Sequence, residues 1–76
     1  MSEGDRTLDA RGLICPLPVL RARKALMAMP AGAVLTLLAT DQGARRDVPA
    51  FCEATGHALL AADEADGVLT FTLRRA

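Results

Sequence analysis

The sequence predicts an α+β fold: a βαβαββ two-layer α/β sandwich, with two helices packed on one face of a four-stranded mixed sheet. Three observations carry this. Two segments with helical spacing carry proline in their opening turns and are closed by glycine or proline. Four short segments read as strands, bounded by turn-forming residues. The last two of these are joined by Asp66-Gly67, a two-residue hairpin signal.

Thr7–Ala10 is the first strand, followed by the turn-prone Gly12. A helix is expected from Pro16 to Met29, with Cys15 near its cap and Pro30-Ala31-Gly32 as its stop. Its core stripe is Val19, Ala22, Leu26 and Met29, flanked by Pro18 and Ala25, with Arg21 and Lys24 pointing away. Leu17, Leu20 and Met27 also fall on the outer side; they either widen the buried stripe or form an exposed apolar patch beside Cys15. Ala33–Thr40 reads as a central strand, and Asp41–Arg46 as a polar loop. The second helix is expected from Asp47, acting as N-cap, to Thr55, with Pro49 in its first turn and Gly56 as its stop. Val48, Phe51, Cys52 and Thr55 share its inner face. Ala58–Ala62 is a third strand, and Val68–Arg74 a fourth that alternates Leu69, Phe71 and Leu73 with Val68, Thr70 and Thr72. The first β–α–β crossover should be right-handed.

At 76 residues the chain makes one domain, 1–76, with a single small core and no room for a deep enclosed pocket. Its formal net charge is zero and its strands are nearly free of aromatic residues, which argues against direct nucleic-acid binding. Met1–Thr7 lacks the apolar core of a signal peptide, and no apolar run approaches the ~20 residues of a membrane span. Two cysteines fit a reducing compartment better than a disulfide scaffold. The expectation is a cytoplasmic protein without a membrane partner.

The chemistry concentrates in Cys15-Pro16-Leu17-Pro18. A cysteine at a helix mouth sits at the positive end of the dipole, where a thiolate is favoured. Arg11, Arg21, Arg23 and Lys24 surround the motif in sequence; they either form a solvated helix face or favour the same anion. Pro16 and Pro18 hold the turn rigid and lack amide hydrogens, so Leu17 and Val19 are left as the donors for the sulfur. Cys52 falls on an apolar face and reads as a packed thiol. His57 has no partner placed by spacing, and Cys15, Cys52 and His57 match no metal-ligand pattern. Arg45 and Arg46 oppose the dipole at the start of the second helix; they are either a merely solvated pair or kept there by something other than helix stability.

The run Leu8-Asp9-Ala10-Arg11-Gly12-Leu13-Ile14-Cys15-Pro16-Leu17-Pro18 resembles the signature of the TusA/SirA/YedF sulfurtransferase family, whose hallmark is Cys-Pro-x-Pro. The resemblance continues through Arg23-Lys24-Ala25-Leu26, Asp41, Arg46-Asp47-Val48-Pro49-Ala50-Phe51-Cys52, Gly56-His57 and the closing hairpin. It departs at Leu17, acidic in the tRNA-thiolation branch, and at Gln42, where proline is common. What it implies is a sulfur carrier with no cofactor beyond a covalent persulfide sulfur on Cys15. Asp9, Gly12, Pro16, Leu17, Pro18 and Val19 would support that cysteine. A cysteine desulfurase would be the donor, and a downstream protein in tRNA 2-thiolation, molybdenum-cofactor assembly or another sulfur-trafficking route the acceptor. Such a carrier acts as a relay rather than a multiple-turnover enzyme. Leu20, Arg21, Lys24 and Met27, together with Arg45 and Arg46, are the docking candidates. The alternatives are a cysteine-dependent redox-sensing or protein-interaction regulatory module and, less well supported by composition, an RNA-binding module.

Overall fold

A computed structural model describes residues 4–76; the part of the Met1–Thr7 reading that falls on residues 1–3 lies outside the described residues. The elements in chain order are β1 (Arg6–Ala10), α1 (Leu17–Met27), β2 (Val34–Ala39), α2 (Ala44–Thr55), β3 (Ala58–Ala65) and β4 (Val68–Arg74). The sheet order is β1-β2-β4-β3. β1 runs parallel to β2, and β4 is antiparallel to both β2 and β3, so the sheet is mixed as expected.

One face of the sheet holds the core. Leu35, Leu37 and Ala39 of β2 alternate with Val34, Thr36 and Leu38, and only the first set is fully buried. β4 repeats the pattern with Leu69, Phe71 and Leu73 buried. The apolar run of β2 therefore marks a central strand covered on one side rather than two. Pro18, Ala22 and Leu26 of α1 and Ala44, Val48 and Cys52 of α2 pack against this face. Phe51 lies half-buried at the margin, whereas Thr55 is exposed and turns its hydroxyl back to the Phe51 carbonyl at 2.7 Å.

Helix limits differ from the sequence reading in ways with clear causes. α1 starts at Leu17 with Pro16 as its N-cap, and ends two residues early. Pro30 disfavours helical geometry at Met29. The amides of Ala28 and Met29 bond three residues back, to Ala25 and Leu26, which tightens the end into a turn. Arg75 Nε also donates to the Leu26 carbonyl at 2.8 Å, a second donor on the oxygen that takes the Met29 amide. Met29 stays buried although it lies outside α1.

α2 begins at Ala44, three residues before expectation. Asp47 is a first-turn residue and not the cap; the cap is Gly43, and Pro49 lies inside the helix. The helix ends at Gly56, whose φ of 83° is left-handed and whose amide reaches the Cys52 carbonyl at 2.9 Å. An L-side chain is disfavoured there, so Gly56→Ala should lower the unfolding free energy by about 1–2 kcal/mol in a urea titration.

β3 runs to Ala65 rather than Ala62. Asp66 and Gly67, at φ 52° and 78°, form the tight turn that pairs Ala65 with Val68 and zips the strand backward through Asp63 and Glu64. Glu64 also forms an ion pair with Arg45 of α2.

Candidate functional site

The two helices begin at the same end of the sheet, where β1 and β2 stop. Between β1 and α1 the chain is tied down at successive points. Asp9 accepts from Arg11 Nε at 2.9 Å and Nη2 at 2.8 Å, and also from the Arg11 amide at 3.0 Å. These bonds hold the Asp9 carboxyl down at about 2. Gly12, at φ 80°, donates its amide to Thr40 Oγ1 at 2.9 Å, fastening the loop to the end of β2. Asp9 and Gly12 thus shape the loop that presents Cys15 and do not themselves act on the sulfur.

Cys15 is half-buried, and the Cys15–Pro16 peptide is cis. Its amide donates to Asp41 Oδ2 at 3.1 Å, while Asp41 Oδ1 takes the Gly43 amide at 2.8 Å. One carboxylate therefore clamps the cysteine loop to the mouth of α2. Its two amide donors hold Asp41 below the usual carboxylate range. The sulfur rests directly on Gly43: a Cβ there would lie 3.3 Å from Cys15 Sγ and 3.1 Å from Asp41 Oδ1. Gly43 has ordinary helical dihedrals, so the need at this position is for space and not for backbone freedom.

The electrostatics reverse the sequence expectation. The Cys15 thiol is pushed up, first by partial burial, then by a hydrogen bond with the Asp47 carboxylate and by the charges of Asp47 and Asp41. The cations counted as its surround are elsewhere: Arg11 is held by Asp9, and Arg21, Arg23 and Lys24 face solvent along α1. The amides at the helix mouths are also engaged. Leu17 donates to the Ile14 carbonyl at 2.9 Å, and the Cys15 and Gly43 amides serve Asp41. Of the two donors expected to face the sulfur, Leu17 is committed and only Val19 is left.

Among the other sequence candidates, Leu17, Leu20 and Met27 are 44, 51 and 71% exposed, and Ile14 beside Cys15 is 71% exposed. The outer side of α1 is thus an open apolar patch and not an extension of the core. Leu20, Arg21 and Lys24 flank a shallow groove against Arg6 and Leu8 of β1. Arg45 is drawn the other way, to Gln42 at 2.7 Å and to Glu64, so it does not join that group; Arg46 is exposed on α2. Cys52 is 4% exposed, and burial raises its thiol too. His57 stacks near Phe51 at 5.7 Å and accepts the Ala76 amide on Nδ1 at 3.0 Å, a structural role.

Asp41, Gly43 and Asp47 are the site residues that sequence reasoning placed in a loop or a cap. Asp41-Gln42-Gly43 carried a turn signal but nothing that pointed across 26 residues to Cys15.

The family profile described as Sulfurtransferase TusA matches residues 6–75, nearly the whole chain and all of this site. The chain belongs to the TusA family. A TusA sulfur carrier protein from Allochromatium vinosum is 45% identical over 75 residues, covering 99% of each chain. A Neisseria meningitidis protein is 60% identical over 68 residues, covering 90% of this chain and 92% of its own. The crystal structure of a SirA-like protein from Desulfitobacterium hafniense superposes with a TM-score of 0.82 at 37% identity, covering 91% of this chain and 95% of that one. The TusA fold therefore accounts for the element order derived above, and Cys15 lies within the matched span. Among the described residues, no helix is long and apolar enough to cross a membrane.

Proposed function

We propose that this TusA-family chain is a sulfur carrier in which Cys15 accepts sulfane sulfur as a persulfide from a cysteine desulfurase and passes it to an acceptor protein. The observation that supports this most directly is the contrast between its two cysteines. Cys15 is half-buried beside exposed Ile14 and Leu17, whereas Cys52 is sealed in the core. A relay between proteins needs an accessible sulfur and no enclosing pocket.

The step balances without any further reactant. The Cys15 thiolate attacks the outer sulfur of the donor's persulfide; a bond from Cys15 Sγ to that sulfur forms as its bond to the donor cysteine breaks. The donor leaves as a thiolate, so one thiolate is consumed and one released. Delivery is the same exchange with Cys15 as the leaving group. Docking in this reading uses the exposed α1 face of Leu17, Leu20 and Met27, with Arg21 and Lys24 at its border, in a cytoplasmic setting.

The test is to incubate the chain with a cysteine desulfurase and cysteine, then localise bound sulfur by peptide mass spectrometry. A dithiothreitol-labile gain of one sulfur on the tryptic peptide 12–21, which carries Cys15, is expected. Sulfur on the peptide carrying Cys52 instead, or on neither, overturns the reading.

A further inference from the structure

We propose that the furrow between α1 and the free edge of β1 binds an extended acidic peptide segment of a partner protein, added to the sheet as a fifth strand beside β1. This goes beyond the carrier reading. The site lies at the sheet edge, next to the α1 face assigned to docking above, and its occupancy requires no sulfur.

The two edges of the sheet are finished differently. β3, at one edge, breaks register between Leu59 and Ala61, carries Asp63 and Glu64, and has Glu64 tied across to Arg45 of α2. A bulge and charges of that kind blunt an edge against further pairing. β1, at the other edge, pairs with β2 in unbroken register from Arg6 to Ala10 and contains no proline. Among the described residues, no segment pairs with its outer side. A regular edge leaves a row of unpaired amides and carbonyls, which is what strand addition uses.

Beside that edge lies a groove of about 630 Å³, lined by Arg6 and Leu8 of β1 and by Leu20, Arg21, Lys24 and Ala25 of α1. Arg6 and Leu8 are in register with the buried Leu35 and Leu37, so their side chains stand on the helix-covered side of the sheet. Leu8 and Ala25 are half-buried against the core, and with the exposed Leu20 they make an apolar floor. The rim is cationic. Arg6, Arg21 and Lys24 are exposed, and among the described residues none of them has a carboxylate partner and no acidic residue lines the groove.

Alternate side chains of an added strand would face this groove. One beside Leu8 would be apolar, and those flanking it acidic, to meet Arg6 at one end and Arg21 and Lys24 along the wall. Main-chain bonds to β1 supply affinity in this mode, and the side-chain pockets supply specificity. A nucleic-acid strand suits the furrow less well, because it has no peptide groups to complete the sheet and finds no aromatic side chain on which to stack. A second copy of the chain would have to offer its acidic β3 edge, which is irregular and has Glu64 already engaged.

The test uses the isotope-labelled full chain and a fluorescein-labelled octapeptide, Glu-Thr-Leu-Thr-Glu-Thr-Leu-Thr, which sets Glu and Leu on one side of a strand. Saturable binding by anisotropy is expected, weakening several-fold as salt is raised. Amide shifts changed by the peptide should include β1, residues 6–10, as well as the α1 wall. Replacing both Glu by Lys should weaken binding by about tenfold or more. Two further peptides carry N-methyl groups on alternate backbone nitrogens, one on Glu and Leu and the other on Thr. Amides of a strand point alternately to either side, so one of these peptides should fail to bind and the other should bind. Arg21→Glu combined with Lys24→Glu should lose binding with an unchanged circular dichroism spectrum. Asp63→Lys on the opposite edge and Cys15→Ser should both bind as wild type. Shift changes confined to α1, equal affinity for the two methylated peptides, or displacement by oligouridine as effective as by unlabelled peptide would each overturn the proposal. So would self-association in sedimentation that the Arg21→Glu, Lys24→Glu chain loses, which would give the furrow to a second copy. Loss of persulfide loading at Cys15 bears on the carrier reading alone, so the two failures are separable.

Discussion

Phe71→Ala is expected to lower the unfolding free energy by about 3–5 kcal/mol, the usual cost of truncating a buried phenylalanine. Phe71 is 2% exposed on β4, in register with Leu37 of β2 on one side and Ala62 of β3 on the other. It lies in the core shared with Val48 and Cys52 of α2, where neither neighbour strand can shift to fill the space without breaking its ladder. A domain of 76 residues has on the order of 4–11 kcal/mol of stability in total. The variant should therefore be substantially unfolded well below the wild-type melting temperature. Circular dichroism during a urea titration would show it as a lower midpoint at similar slope. A midpoint within a few tenths molar of wild type would mean that the sheet-facing core is not organised as described.

Cys15→Ser should abolish sulfur loading and leave the melting temperature almost unchanged, and Cys52→Ser should do the reverse. Cys15 is held mainly by its backbone amide on Asp41, a bond that serine keeps. Serine is close to cysteine in size and fits the same seat against Gly43, so the loop has no reason to open. Serine has no thiolate to attack a persulfide, and loading should fall to background. Cys52 sits 4% exposed among apolar neighbours. A hydroxyl buried there without a partner costs about 1–3 kcal/mol, yet the loading site is untouched. Thermal melts and sulfur mass shifts on the same two preparations check both halves. Loading retained in Cys15→Ser, or lost in a still-folded Cys52→Ser, contradicts the assignment of roles.

The order of elements was legible because each depends on local signals. The alternation of Leu69, Phe71 and Leu73, the left-handed stop at Gly56 and the hairpin at Asp66-Gly67 all act within a few residues. The start of α2 was not legible, because its entry is built from the Asp41 carboxylate on the Gly43 amide and the Asp41 carbonyl on Ala44. These contacts make Asp47 unnecessary as a cap. Arg45, which looked misplaced at a helix start, is held there by Gln42 and Glu64. The length of β3 was set by turn register and not by the strand preference of Asp63 and Glu64, which is poor. The charge at Cys15 was legible only in part: Arg21, Arg23 and Lys24 form the solvated helix face that was one of two readings, whereas the carboxylates that raise the thiol come from 26 and 32 residues away.

Gly43 carries one more consequence. Because the sulfur is seated against a helix mouth and its loop is fastened to β2 through Thr40 and Asp41, this carrier has no swinging arm. A tethered thiol on a mobile tail can thread a narrow tunnel, but a thiol in a loop tied down to the body of its domain cannot. Any protein that exchanges sulfur with Cys15 must open a basin wide enough to admit both helix mouths, or move its own cysteine outward on a flexible loop. The freedom of motion in the relay belongs to the partner.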